Sequence, residues 1–470
     1  MDNQLSKKLS IGTILGYSSA SMGEAMMFNF YQIFFMFYLT NIAGVNPALA
    51  GTVTLIAVIC SAIADPAMGY ISDNTASKNG GGRRRKYILG GTIPMAIMLV
   101  FLFTVFDLSP TMKVVYFAVV AIIFWLFYAI VQVPYTAFGA ELSPDYNERT
   151  KLRSFTTIFN LVGNLIGMSA PMLVVGYFMA GGSTPPAAWQ KLAMIIAALS
   201  AISILITWAT TKGKELVITE APKRVNPLKE YWDVLKLKPV KYVLLVTIVF
   251  LIAYTMINST MVYFMIYIMK IDQTAITLVF TIYLAAGFVF TPILGFLASK
   301  IGKRTTIIGA LVLSGLGMLL VKFIGIDSLN MLIVYMVIFG IGAGAFWVLM
   351  VAVMYDIVEV DEYVNGKRRE GSLMALGSFT QKLGGAVAAQ IVGLILYLSK
   401  YNPMAPEQLP SAISGIESTF IIYPAILLFV TALIMAMFPI TKEKHSLLLK
   451  ALAAKRQEEI PSTEGLGKII

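Results

Sequence analysis

At 470 residues, 58% of them hydrophobic and only 13% charged, the chain has too little polar surface for a soluble globular protein of its size. Its apolar residues come in runs of about 20 or more, the length of a membrane-spanning helix, and the alternating segments of about ten residues that build a transmembrane barrel are absent. The net charge of +11 is spread over short loops between those runs, which is the pattern of membrane topology and not of a nucleic-acid groove.

The chain opens with MDNQLSKKLS, and the apolar run that follows is too long and too studded with polar residues for a cleaved signal, so it is read as a retained first span. Twelve apolar segments can be counted, at 11–40, 47–72, 87–107, 113–138, 154–180, 189–211, 242–268, 274–299, 304–325, 329–355, 372–399 and 416–440. An even number puts both termini on one side. Of the 36 Lys and Arg, 30 fall on that side, five on the other (Lys113, Lys191, Lys270, Lys322 and Lys400) and one, Lys382, inside a span. The positive-inside rule makes the richer side cytoplasmic. The expectation is an all-α polytopic protein of the cell inner (plasma) membrane with both termini in the cytoplasm. Cys60 is the single cysteine and lies in a span, so there is no disulfide framework. The single histidine, His445, is in the C-terminal tail, which rules out a histidine relay or metal site in the membrane.

The longest internal loop, KGKELVITEAPKRVNPLKEYWDVLKLKPVK at 212–241, divides an N-terminal six-helix bundle, 1–211, from a C-terminal one, 242–440, with a tail at 441–470. Within the loop, PLKEYWDVLKLK reads either as an amphipathic surface helix or as a solvated linker. The bundles share a trace of repetition. Pro66-x-x-Gly69 and Pro292-x-x-Gly295 each close the second span of their half, 226 residues apart, and each leads into a basic loop, GGGRRRK or KIGKR. A six-plus-six parallel repeat is how major facilitator transporters are built. The glycines suit close helix packing. The basic loops fit both a latch that pairs with acids and plain topogenic charge.

Glu24, Asp65 and Lys382 are the ionisable groups well inside spans. Such groups are costly in a bilayer and normally face a cavity or one another. At 1.5 Å per residue Lys382 lies ~15 Å and Glu24 ~20 Å from the cytoplasmic end of their spans. Asp65 is nearer that end, where Pro66 is expected to unwind a turn and free carbonyls beside the carboxylate for a cation. Asn29 and Gln32, Gln132 and Tyr135 around Pro134, Asn160 and Asn164, Tyr254 and Asn258, Trp347, and Gln381 beside Lys382 add neutral polar groups and flat rings. Amides with an indole or phenol suit sugar hydroxyls and the C–H face of a pyranose. Helix–helix hydrogen bonding is the alternative for any one of them. Asp73, Arg83, Arg84, Arg85, Glu141, Glu148 and Arg149, with Asp356, Glu359, Asp361, Glu362, Lys367, Arg368, Arg369 and Glu370, crowd the cytoplasmic ends. They are expected to form a gate of salt bridges between the halves that breaks when the inside opens; a solvated charge run is the alternative. No P-loop points to ATP-driven transport, no filter sequence points to a channel, and no catalytic constellation, resident metal or cofactor is expected.

Four stretches carry a family likeness: AIADPAMGYISDNTASKNGGGRRRKYIL after the second span, VPYTAFGAELSPDYNERTKL after the fourth, GAFWVLMVAVMYDIVEVDEYVNGKRREGS around the tenth and FTQKLGGAVAAQIVG in the eleventh. Together they resemble the glycoside–pentoside–hexuronide:cation symporters, the melibiose permease group of the major facilitator superfamily. The resemblance implies twelve transmembrane helices in two six-helix bundles and alternating access with sugar and cation bound together. It implies that Asp65 is one of the family's cation-site acids, while the neighbouring acid is Ser61 here and the acid of span four is Gln132. The family's sugar-holding acid of span one falls at Ala25, preceded by Glu24 where the family has lysine, and its stacking tryptophan of span four falls at Thr136; Lys382 and Trp347 match. With two carboxylates lost from the sodium site, Asp65, Ser61 and Gln132 still offer oxygens to Na+, but a lone buried carboxylate is better suited to H+. The reading is therefore symport of a glycoside, pentoside, hexuronide or related sugar with a proton rather than sodium, through Asp65 with Glu24, Lys382 acting as the competing charge. A facilitator or exporter of an amphipathic compound is the alternative, and a non-transporting sensor on the same scaffold a third. The partners expected are a small-molecule substrate and the bilayer, with no nucleic acid, and the chain is expected to act as a monomer.

Overall fold

The computed structural model describes residues 9–73, 75, 84–143, 145–214, 227–405 and 407–456. They form helices throughout, because in lipid every backbone N–H and C=O must be satisfied within its own segment. In chain order these are α1 Ile11–Phe37, α2 Pro47–Asp73, α3 Arg85–Leu102, α4 Pro110–Glu141, α5 Tyr146–Ala180, α6 Pro185–Thr210, α7 Pro227–Leu235, α8 Lys238–Tyr263, α9 Gln273–Ile301, α10 Lys303–Ile324, α11 Leu329–Asn365, α12 Glu370–Leu398, α13 Pro410–Glu417, α14 Tyr423–Met437 and α15 Lys442–Arg456. A π-helical turn, Ser418–Ile422, joins α13 to α14 in one span. Among the described residues eleven helices are long and apolar enough to cross a membrane; α1 is the twelfth span, less apolar because it carries buried Ser18, Ser19, Ser21 and Glu24. The short α7 falls on the PLKEYWDVL stretch and the tail forms α15.

Helix ends follow local chemistry. Ser109 and Ser328 accept from the backbone N–H three residues on, the usual N-cap arrangement. Gly366 ends α11 at φ 65°, a left-handed position that suits glycine. At 37 residues, α11 is ~55 Å long, so its charged last turns stand clear of a hydrocarbon layer of ~30 Å. Pro66 does not unwind α2, which is helical from Pro47 to Asp73; Pro94, Pro134, Pro171 and Pro292 also lie inside helices. A proline removes one backbone hydrogen bond, and packing within a bundle keeps the remaining turns helical. The internal repeat extends beyond the sequence motif. The first span of each half ends in a π-helical turn, Tyr38–Ile42 and Phe264–Ile268, again 226 residues apart.

The chain divides into two compact units, one of Met1–Pro222 with Ile271–Thr281 and Ala389–Ala412, the other of Lys223–Lys270 with Ile282–Ala388 and Ile413–Ile470. In the first, α1 is clasped between α5 and α6. The GNLIG run of α5 sets Gly163 and Gly167 against the α1 backbone: a Cβ at Gly167 would stand 2.7 Å from the Met26 carbonyl oxygen, and one at Gly163 would overlap that of Met22 and lie 2.8 Å from the Ala25 side chain. On the α6 side, Ser19 donates to the Ser203 carbonyl and Thr207 to that of Gly16, both at 2.7 Å. Phe30, Phe103 and Trp189 stack nearby, with Phe30 and Phe103 centroids 4.2 Å apart. The C-terminal part of α12 also belongs here: a Cβ at Gly51 would stand 2.9 Å from the Ala389 carbonyl, and the Tyr401 hydroxyl donates to Asn41 Oδ1 at 2.9 Å. Gly163→Ala is expected to cost about 1–3 kcal/mol, since the atom it meets is backbone and cannot turn aside. Thermal unfolding of purified protein checks this; a wild-type midpoint would show that α1 yields freely.

In the second unit Phe250 stacks on Phe346 at 3.8 Å. Ser314 links α10 to α11, donating to the Ile338 carbonyl at 2.6 Å while accepting from the Gly342 N–H at 2.8 Å. Tyr335 donates to the Phe420 carbonyl at 2.5 Å. α15 lies against α11, where Lys455 donates to the Tyr363 carbonyl at 2.7 Å.

Candidate functional site

In the first unit, α1, α2 and α4 bring carboxylates and hydroxyls to one level. α1 and α4 run antiparallel, since Tyr17 stacks on Tyr135 at 4.7 Å and, farther along, Phe28 meets Tyr128 at 6.4 Å and Trp125 at 6.1 Å. Between those contacts the register sets Glu24 opposite Tyr128. Tyr17 and Tyr135 also lock the two backbones, each hydroxyl donating to the other residue's carbonyl, at 2.9 and 3.1 Å. Glu24 is 9% exposed, and its Oε1 meets no hydrogen-bond donor among the described residues. α2 and α4, as alternate spans, run parallel, and Gly69 stands beside Val133, with 3.8 Å from a Cβ to that side chain. One turn earlier on each helix Asp65 comes level with Ala129. Ser61 is buried one turn before Asp65. Gln132 continues the α4 stripe, its amide donating to Thr136 Oγ1 at 3.4 Å and its backbone carbonyl accepting from that hydroxyl at 2.9 Å. Two carboxylates in one low-dielectric site are stable together only with a positive partner, a proton or a cation.

Farther along α1 the amides meet α5. Asn29 Nδ2 donates to the Ala25 carbonyl at 2.9 Å and to Asn164 Oδ1 at 2.7 Å, and Asn164 Nδ2 to Asn160 Oδ1 at 3.2 Å. Gln32, one turn on from Asn29, is half-buried. In the second unit Tyr254 lies edge-on to Trp347 at 5.7 Å and within reach of Tyr283 and Asn258. Asn258 is buried and donates to the Tyr254 carbonyl at 2.8 Å. Trp347 is exposed, and Gln381 and Lys382 are half-buried on α12. The expected cation residues Glu24, Ser61, Asp65 and Gln132 thus fall together in the first unit. The expected sugar residues divide, with Asn29, Gln32, Tyr135 and Asn164 in the first unit and Asn258, Trp347, Gln381 and Lys382 in the second.

The charges at the basic helix ends repeat one arrangement in each unit. Where the third span begins, two consecutive cations take two different partners. In the first unit Arg84 pairs with Glu141 at the end of α4, at 3.0 Å and with both side chains under 9% exposed, while Arg85 donates to the Trp208 carbonyl near the end of α6 at 2.5 Å. In the second, Lys303 pairs with Asp356 near the end of α11 at 2.5 Å, and Arg304 donates to the Ala436 carbonyl near the end of α14. Of the other expected gate charges, Arg149 donates to the Ser143 carbonyl at 2.6 Å, Arg368 pairs with Glu362 at 2.9 Å, and Arg369 with Asp361 at 2.5 Å. Glu359 meets His445 of α15 at 2.5 Å. All these contacts lie inside one unit. Asp73 closes α2 with its side chain outside the described residues, where Arg83 also lies. Asp356, Glu359 and His445 place ligand atoms within 4.8 Å of one another, but Lys303 already holds Asp356, which disfavours a metal there.

Residues 16–442 match the family described as MFS/sugar transport protein. The chain belongs to that family. This transporter is 28% identical to the isoprimeverose transporter of Lactiplantibacillus pentosus over 437 residues, covering 92% of this chain and 89% of that one. It is 26% identical to the glucuronide carrier protein homolog of Escherichia coli (strain K12) over 451 residues, covering 94% of this chain and 95% of that one. Among solved structures, the nucleoside transporter NupG superposes with a TM-score of 0.67 over 91% of this chain and 99% of its own, at 14% identity, a likeness of fold. The resemblance read from the four sequence stretches is borne out, and the transporter is a secondary carrier and not an enzyme.

The sequence reading missed Tyr17, Trp125, Tyr128 and Tyr283, all of which border this transporter's polar residues. A signal for two of them was present: Trp125, Tyr128, Gln132 and Tyr135 recur at three- and four-residue intervals along α4, one face of a helix. Aromatic residues in a membrane helix also face lipid, so only the partner helix separates the two cases.

Proposed function

We propose that this transporter carries a glycoside, pentoside, hexuronide or related sugar into the cell together with a proton, by alternating access. The observation that carries the reading is Glu24, buried in α1 with its Oε1 without a donor among the described residues, in the same unit as Asp65. A carboxylate that stays in the bilayer without a cationic partner is poised to be neutralised. Proton is favoured over sodium because the ligands beside these acids are few and neutral, Ser61 and Gln132. The sugar class is supported by the isoprimeverose transporter and glucuronide carrier homolog among its relatives. Asn29, Gln32, Tyr135, Asn164, Asn258, Trp347 and Gln381 supply paired donors and acceptors with an indole and a phenol for stacking. Lys382 serves as the competing positive charge, released when proton and sugar bind. The 30-to-5 distribution of Lys and Arg supports an inner-membrane placement with both termini cytoplasmic.

Thermal stabilisation of purified protein against a panel of glycosides, pentosides and uronides selects the probe. Uptake of that probe into proteoliposomes under an imposed pH gradient, or an imposed sodium gradient, then tests the coupling. Accumulation driven by pH alone is expected; accumulation that follows only sodium, or neither gradient, would rule the reading out.

A further inference from the structure

We infer that α7 anchors the second unit to the lipid surface, with the Trp232 indole seated among headgroups and the neighbouring lysines on their phosphates. The anchor works whichever ion or sugar is carried. α7 has two sides. Glu230, Asp233 and Val234 recur at three- and four-residue intervals, one side of a helix, and that side is docked. Ser372 Oγ of α12 donates to Glu230 Oε2 at 3.0 Å. Asp233 stands 3.6 Å from Arg369, which Asp361 of α11 holds in turn. Val234 is 2% exposed, and Leu237, just past the helix, is also buried. These contacts lie in the second unit and fix how α7 is rotated. The other side carries Trp232 and Lys236, four residues apart and each 65% exposed. Lys236 reaches back to Asp233 at 3.2 Å, an exposed pair that costs little to exchange for a phosphate.

The place of that side decides what covers it. α7 turns into the α8 span within two residues: the Leu237 N–H donates to the Val234 carbonyl and the Val240 N–H to the Leu237 carbonyl, both at 3.1 Å. α8 then continues through the apolar run VLLVTIVFLIAY, and its Leu245 is exposed, as a lipid-facing residue is. Trp232 is three residues from the end of α7, ~4.5 Å along its axis, and the headgroup layer is about 5–7 Å deep on each side of the hydrocarbon. α7 therefore keeps the indole at that layer at any tilt. An indole has an apolar body and one N–H donor, so it is favoured where lipid chains meet water. Lys236, Lys238 and Lys241 are exposed around the turn, and lysines at that depth are drawn to anionic headgroups. Protein interfaces are depleted in lysine, which favours lipid as the occupant.

Quenching of tryptophan fluorescence in nanodiscs tests this on the full-length protein. The chain has five tryptophans, so the signal of residue 232 is that of wild type minus that of Trp232→Phe. Phospholipid brominated near the carbonyl end of its chains is expected to quench this difference signal. At equal mole fraction, brominated phosphatidylglycerol should quench it about twofold more than brominated phosphatidylcholine, because the lysines gather anionic lipid. Absence of lipid quenching overturns the anchor. Aqueous acrylamide then tells the cause: a signal that acrylamide quenches makes α7 a solvated linker, and one that it spares means that protein covers Trp232. Equal quenching by the two lipids overturns the part given to the lysines. Should Trp232→Phe fail to fold, amide hydrogen exchange of residues 228–235 in the wild-type protein decides. Slower exchange in discs containing phosphatidylglycerol than in phosphatidylcholine alone supports the anchor, and equal exchange overturns it.

Discussion

Asp65→Asn is expected to bring the accumulation ratio of a transported sugar probe in proteoliposomes down to about one, the value of passive equilibration. A pH difference of one unit is worth ~1.4 kcal/mol per proton, enough to hold a one-proton symport substrate at about tenfold. The wild-type protein should approach that ratio. In the variant, the asparagine side chain keeps the approximate shape of the site but offers no carboxylate for the coupling proton to neutralise. Binding of sugar then no longer requires a proton, and downhill exchange continues. The measurement is the ratio of inside to outside probe under an imposed pH gradient, alongside counterflow with equal pH on both sides. Full tenfold accumulation by Asp65→Asn would remove this residue from the coupling step.

Glu141→Gln is expected to destabilise the first unit by ~3–5 kcal/mol, because it leaves Arg84 buried beside a neutral amide. The pair is among the most buried in the molecule, both side chains under 9% exposed, so solvent does not screen it. Thermal unfolding of the purified protein should begin on the order of 5 °C lower. Replacing both partners, Arg84→Met with Glu141→Leu, should recover much of the loss, since an apolar pair of similar volume carries no desolvation cost. Asp356→Asn in the second unit should have a smaller effect. Its partner Lys303 is about one third exposed, and an accessible lysine can return to water. A wild-type unfolding midpoint for Glu141→Gln would mean that Arg84 is held by its other contacts and that the pair is decorative.

The two units carry this bracket in the same place with different chemistry. Arg84 and Glu141 correspond to Lys303 and Asp356, and Arg85 on the Trp208 carbonyl corresponds to Arg304 on that of Ala436. The sequence showed both basic loops and both acidic helix ends, and even the 226-residue periodicity of the motifs before those loops. It did not show which cation took which partner. Several charges of each sign crowd each helix end, and Coulomb attraction alone does not choose among them. The choice follows from where the third span starts relative to the ends of the fourth and sixth.

Much about this protein was settled by residue order alone. Run length and composition determine that a segment prefers lipid, so the spans and their number were legible, and so was the oddity of Glu24, Asp65 and Lys382 within them. The cost of a charge in hydrocarbon depends on that residue and its immediate neighbours, which is why such groups stand out in one dimension. Tertiary structure decided what those groups face. The register of α1 against α4 is set by Tyr17 on Tyr135 and by Phe28 on Tyr128, contacts between residues about a hundred apart, and the closeness of α1 to α5 by Gly163 and Gly167. Local sequence carries the helix but not its rotation or its slide against a neighbour. Those are fixed only when small residues let backbones approach and rings interlock.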